Sequence, residues 1–205
     1  MPDRTSEIDF CGNMALSLAM RASSLLRTAN AARPLSTAAT TGLVVMSIGD
    51  ASAQLATQQS FDHKRNLVSA SFNGAMSPLF YKWYRFMDRL IPGISVTRLI
   101  PKVLISQLVT TGVNNPLYFS WCYHVEAWLH QSSGNTVDWV HVRAEATEHM
   151  RRELPGVYGK SMLYWLPVTS CNYMLPDHLR ILWVSSCACV WGAFVSYVAH
   201  RHEGS

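Results

Sequence analysis

An all-α bundle that crosses a membrane several times is the fold class this sequence predicts, and three observations predict it. Charge is scarce: 15% of the 205 residues are Asp, Glu, Lys or Arg and 49% are apolar, where soluble domains carry about 25% charged residues. The chain also contains five stretches almost free of charge, Leu35–Ala56, Asn66–Tyr81, Val103–Tyr123, Ser161–Pro176 and Ile181–Ala199, of which only the first holds an ionised side chain, Asp50. The third observation is Gly74–Gly93, GAMSPLFYKWYRFMDRLIPG, where small and apolar residues give way to an aromatic and cationic edge, Trp83 and Tyr84 between Lys82 and Arg85, closed by Pro92-Gly93. A spanning helix leaves hydrocarbon in this way: rings settle at headgroup depth, Lys and Arg reach the phosphates, and Pro-Gly stops the helix. The same edge also suits the rim of a soluble helical core. Mean hydropathy is only +0.07, so spans in this chain carry polar residues that must turn toward protein or water.

Charge and cysteine usage exclude other classes. The net charge of +4 comes from 17 basic and 13 acidic residues scattered along the chain, which leaves no stripe for nucleic acid. Five cysteines, Cys11, Cys122, Cys171, Cys187 and Cys189, contain no C-x-x-C pair, so neither a disulfide framework nor a zinc site is expected. No cofactor fingerprint or nucleophile–base spacing appears, and an enzyme is not expected.

In order along the chain, Asn13–Gly49 lacks acidic residues while Arg21, Arg27 and Arg33 punctuate a run of Ala, Ser, Thr and Leu. That composition fits a mitochondrial presequence or, equally, an interfacial helix of the mature protein. The acidic front Met1–Phe10 departs from a presequence, and Met14 offers an alternative start. In Leu35–Ala56, Gly42, Met46, Gly49, Ala53 and Ala56 recur at steps of four and three, a stripe that lets a neighbouring backbone come close. Asp50 and Gln54 lie four apart on an adjacent face; Asp50 is expected to be buried or pore-facing, since an ionisable residue at depth needs a partner.

Asp62 is expected to cap the helix containing Asn66–Tyr81. In the third span Lys102, Ser106, Thr110 and Asn114 descend at four-residue steps with Gln107 and Thr111 beside them. On a helix otherwise of Val, Leu, Ile and aromatics, this stripe must face other helices or water, as interhelical glue or as a pore lining. Asp138–Leu154 reads as a surface helix closed by Pro155-Gly156. Its His141, Glu145 and His149 share one face, which reads as solvated rather than as a metal site. Gly159-Lys160-Ser161 lacks the rest of a phosphate-binding loop. Ser161–Pro176, broken by Pro167, is expected to be re-entrant or kinked, and Ile181–Ala199 is the cleanest span.

Several separated signatures resemble the Mpv-seventeen family, which includes the twenty-two-kilodalton peroxisomal membrane protein. They are Pro34 with Gly49-Asp50 and Gln54; Asp62 with Arg65; Gly74, Pro78, Trp83, Tyr84, Asp88 and Pro92-Gly93; Lys102 with Gln107; Trp165, Asn172, Tyr173, Pro176 and Arg180; and Trp191 with Tyr197. Departures mark a divergent member: Ser106 replaces an Asp of the family, Thr169 replaces a Gln, and Pro167 stands two residues after Trp165 rather than one. The resemblance covers Pro34–Arg201 and divides the chain into a basic leader or interfacial helix, 1–33, a helical membrane domain, 34–201, and a tail, 202–205.

It implies four transmembrane helices plus the proline-broken segment, in the mitochondrial inner membrane or alternatively the peroxisomal membrane. A channel-like function is implied, for ions or small metabolites, with Asp50, Gln54, Asn73, Lys102, Gln107 and Asn114 as pore-lining candidates. A non-conducting structural or adaptor protein is the alternative. The expected partners are the lipid bilayer and a homo-oligomer or membrane complex, with no cofactor and no metal.

Overall fold

Helix follows helix along the chain, and the described residues contain no strand. The computed structural model describes residues 17, 20–56, 61–132, 134 and 136–201. Met1–Phe10, Cys11, Met14 and the tail 202–205 lie outside them, as does the side chain of Tyr197. The elements are α1 (residues 20–32), α2 (Pro34–Ala56), α3 (His63–Leu90), α4 (Val96–Ser132), α5 (Trp139–Met174) and α6 (Asp177–Arg201). Pro34 opens α2, where a proline's missing N–H costs nothing. Asp62 caps α3 as expected, its Oδ1 accepting from the backbone N–H of Lys64 at 2.9 Å and Arg65 at 3.1 Å, and Asp138 caps α5 through Val140 and His141.

Helix α2 packs against α3 and α6, α4 lies along α5, and contacts of α3 with α4 and of α5 with α6 join the two sets. The stripe of small residues on α2 makes two close approaches. A Cβ on Gly42 would overlap Ser77 and the Asn73 carbonyl on α3, and one on Gly49 would overlap Cys189 on α6.

Two expectations are corrected. The surface helix ending at Pro155-Gly156 and the separate Ser161–Pro176 segment are one helix, α5, which runs through Pro155 and Pro167. An internal proline costs about 3 kcal/mol through a lost donor and a crowded carbonyl, and packing along α4 offsets it. Helix α3 runs through Pro78 and ends at Leu90, just ahead of Pro92-Gly93, as expected. What differs is the aromatic edge, for Tyr84 does not sit on an outer rim. It turns inward, buried against the Tyr173 ring at 5.6 Å, and the Trp83 indole donates to Ser106 Oγ at 3.1 Å. Helical spacing explains this, because Tyr81, Tyr84 and Met87 share one face with Asp88 beside it, and all three close the apolar cluster of Ala38, Val103, Tyr173 and Ile181.

Along α4 polarity is inverted relative to a helix of a soluble protein, and polar side chains are buried elsewhere in the bundle beside its apolar cluster. The fully buried side chains include Lys102, Gln54, Gln107 and Asn172. From Ile100 to Leu117 every exposed residue of α4 is apolar or glycine, among them Leu104, Leu108, Val109 and Val113, while Lys102, Ser106, Gln107 and Thr111 are buried. Among the described residues no helix is long and apolar enough to cross a membrane on its average hydropathy.

Candidate functional site

Two polar networks lie in the bundle with a cavity between the helices. The first forms where the end of α3 meets α4, α5 and α6. Asp88 accepts from Lys102 Nζ at 2.8 Å through Oδ1 and from Arg180 Nη1 through Oδ2. Lys102 also donates to the Gly93 carbonyl at 3.2 Å, in a turn where Gly93 takes φ +98°, a conformation that disfavours other residues. Arg180 reaches Asp177 at 3.3 Å and donates through Nε to the Leu175 carbonyl at 3.0 Å. Both cations stand over the Tyr173 ring, Lys102 at 5.0 Å and Arg180 at 5.8 Å. The Tyr173 hydroxyl shares a 2.5 Å hydrogen bond with Ser106 Oγ. Burial alone would raise the Asp88 carboxyl, but the hydrogen bonds and positive charges of Lys102 and Arg180 outweigh it and hold it below the usual carboxylate range.

The second network joins α2 to the start of α3. Asp50 pairs with Arg65 Nε at 3.2 Å and accepts from Gln54 Nε2 at 2.7 Å and Asn66 Nδ2 at 3.3 Å. Gln54 Oε1 accepts from the Asp62 N–H at 2.6 Å, and Ser47 donates to Asn66 at 2.8 Å. Asp50 and Arg65 also line a cavity of about 110 Å³ shared with Glu126, Tyr118 and Cys189. Burial first, and then the Asp62 charge, push the Glu126 carboxyl up.

A larger cavity of about 310 Å³ adjoins it, with Met46, Arg65, Tyr118 and Gly192 common to both walls. Asn73, Thr110, Thr111, Asn114, Asn115, Ser161, Trp165, Thr169 and Trp191 line it. Gln107 lies behind this wall, fully buried, donating to Thr111 at 2.5 Å and accepting from Thr169 at 3.2 Å.

The six pore candidates are therefore not one path. Asp50, Asn73 and Asn114 stand on cavity walls, whereas Gln54, Lys102 and Gln107 are buried in hydrogen-bonded networks, because a polar group in a tight interhelical contact needs protein partners. Among the signature residues, Gly49 and Gly74 mark close helix contacts, Arg65, Asp88 and Arg180 carry the ion pairs, Trp165 and Trp191 line the large cavity, and Asn172 is fully buried. Pro34, Pro78 and Pro176 sit at or in helices, and Trp83 and Tyr84 face inward. Sequence reasoning missed Asn66, Asn115 and Ser161. The adjacent amides Asn114-Asn115 ahead of Pro116 were the available signal. His149 packs on the Phe119 and Tyr123 rings while His141 pairs with Glu145 at 3.2 Å, so that trio does not converge.

A helical bundle with ion pairs and amides inside and Leu, Ile and Val outside is the class of protein that fold and site define. Comparison with known sequences carries this further. The Mpv17 / PMP22 family profile matches residues 141–196. The chain is 27% identical over 163 residues to the mitochondrial inner membrane protein Mpv17 of Bos taurus, covering 77% of this chain and 85% of that one. It is 27% identical over 177 residues to the Rattus norvegicus Mpv17, covering 83% and 93%, and 27% identical over 175 residues to PXMP2/4 family protein 1 of Dictyostelium discoideum, covering 82% and 80%. No solved structure matches. The chain thus resembles the Mpv17 / PMP22 family, through the family profile over its C-terminal part and through relatives at about 27% identity over most of its length. The mitochondrial inner membrane expected from the resemblance is the location the Mpv17 relatives carry in their names, and the PXMP2/4 names are compatible with the peroxisomal alternative.

Proposed function

We propose that this protein is a channel-like integral protein of the mitochondrial inner membrane that passes ions or small metabolites and has no catalytic step. Four spans, Leu35–Ala56 in α2, Asn66–Tyr81 in α3, Val103–Tyr123 in α4 and Ile181–Ala199 in α6, cross the bilayer, with the proline-containing second half of α5 packed among them. The observation that carries this reading is the inverted polarity of α4, apolar outside and polar inside from Ile100 to Leu117. A helix of this kind has a modest average hydropathy because the inner face dilutes the outer one, yet the surface it offers lipid is apolar. The 23 residues of α2 rise about 34 Å at 1.5 Å each, enough for a hydrocarbon core of about 30 Å.

In this reading the Asp50–Arg65–Glu126 group forms a charged vestibule, the larger cavity is the middle of the path, and the Asp88–Lys102–Arg180 network closes the far end. That closure also favours a second reading, a non-conducting structural or adaptor protein whose polar interior only holds helices together. Purified full-length protein in a planar bilayer separates the two: reproducible single-channel steps are expected, and persistent silence at high protein density refutes conduction. Imaging a tagged copy against mitochondrial and peroxisomal markers tests the location.

A further inference from the structure

The larger cavity carries three side-chain atoms without a protein partner: Asn114 Oδ1, Asn115 Nδ2 and Ser161 Oγ. Ser161 is 1% exposed, and a polar atom left unpaired at that depth is costly unless something enters to satisfy it. The same wall presents the rings of Phe72, Tyr118, Phe119, Trp165 and Trp191. Among the described residues lining it, Arg65 is the only one ionised, and it already pairs with Asp50.

We infer that this cavity is a binding site for a small uncharged solute with a flat apolar body and a hydrogen-bond donor and acceptor at one end, of which a primary carboxamide is the simplest case. The inference names the solute class for the proposed path and rests on that reading. A carboxamide supplies an N–H to Asn114 and a carbonyl to Asn115, and it still complements the pair if either amide is rotated, because it holds both functions. The rings accept a flat body by stacking or edge contact. A volume of about 310 Å³ is at the small end of ligand pockets, which restricts the occupant to a small molecule. An ion would exchange its water for neutral amides and aromatic walls without a free counter-charge, which disfavours it as a bound occupant rather than as a passing one.

The test uses the full chain in detergent micelles, titrated with benzamide and with benzoate and followed by saturation-transfer NMR. The two probes differ in charge while keeping the ring. Saturable benzamide binding at least tenfold tighter than benzoate is expected, weakened about tenfold in Asn115→Leu and abolished in Ser161→Leu, with circular dichroism melting to show that each variant is folded. Absence of saturable benzamide binding to the unaltered chain overturns the site, as does equal affinity for benzoate, or full benzamide affinity in both folded variants. Binding in micelles needs no conduction, so a silent bilayer with intact benzamide binding refutes only the channel, and channel steps without benzamide binding refute only the site.

Discussion

Arg180 donates to Asp88 across 92 positions of sequence, and Lys102 donates to the other oxygen of the same carboxylate at 2.8 Å. One side chain of α3 thereby holds α4 and α6. Lys102 is 1% exposed, so removing its counter-charge leaves an ammonium in a place where water scarcely reaches. Asp88→Asn is expected to destabilise the folded protein by about 3 kcal/mol, read as an earlier unfolding midpoint in detergent. A midpoint within error of the parent protein would show that the ion pair is structurally idle.

The same carboxylate sets a pH response. Asp88 lies beyond the Asn66–Tyr81 span, and its folded pKa is below the ordinary value of 3.8. A depressed acid contributes stability that is fully present above the unfolded pKa and is lost as the pH falls through the folded one. The Asp88 contribution is therefore fully present and independent of pH near neutrality, and it is lost progressively below about pH 4. Melting curves between neutral pH and pH 2 should show a steeper acid loss in the parent protein than in Asp88→Asn; parallel curves would contradict the assignment.

Close packing of α2 on α6 is tested at Gly49, where an added Cβ meets both Sγ and Cβ of Cys189. Gly49→Ala is expected to cost about 1–3 kcal/mol from overpacking. Removing the opposing side chain with Cys189→Gly should recover part of that loss, so the double variant is less destabilised than the sum of the singles. Strict additivity would mean that the two helices are further apart than described.

At the other end, Asp50→Asn leaves the Arg65 charge unbalanced beside the smaller cavity. If the bundle conducts, the reversal potential under a potassium chloride gradient should shift toward the anion value. A potential unmoved by the substitution removes Asp50 from the path.

Much of the helical pattern was legible because its causes are local. The caps Asp62 and Asp138 act on N–H groups two and three residues away, and the steps of four from Lys102 to Asn114 place a polar stripe on one face whatever lies opposite. Prolines misled, since Pro155 and Pro167 stop an isolated helix but not one packed along α4. Which polar residues reach a cavity was not legible: of the six candidates Asp50, Asn73 and Asn114 stand on cavity walls, while Gln54, Lys102 and Gln107 are taken up by partners on other segments.

By itself the sequence determined an all-helical chain with polar faces at helical spacing, and its signatures pointed to a family resemblance that the comparisons also find. Only the tertiary structure decided that Tyr84 turns inward, that Asp88 serves both Lys102 and Arg180, and that Asn114, Asn115 and Ser161 open onto one cavity. The physical reason is range. Periodicity and capping act within a turn or two of chain, whereas the partner of a buried charge or amide is set by which distant helix packs against it.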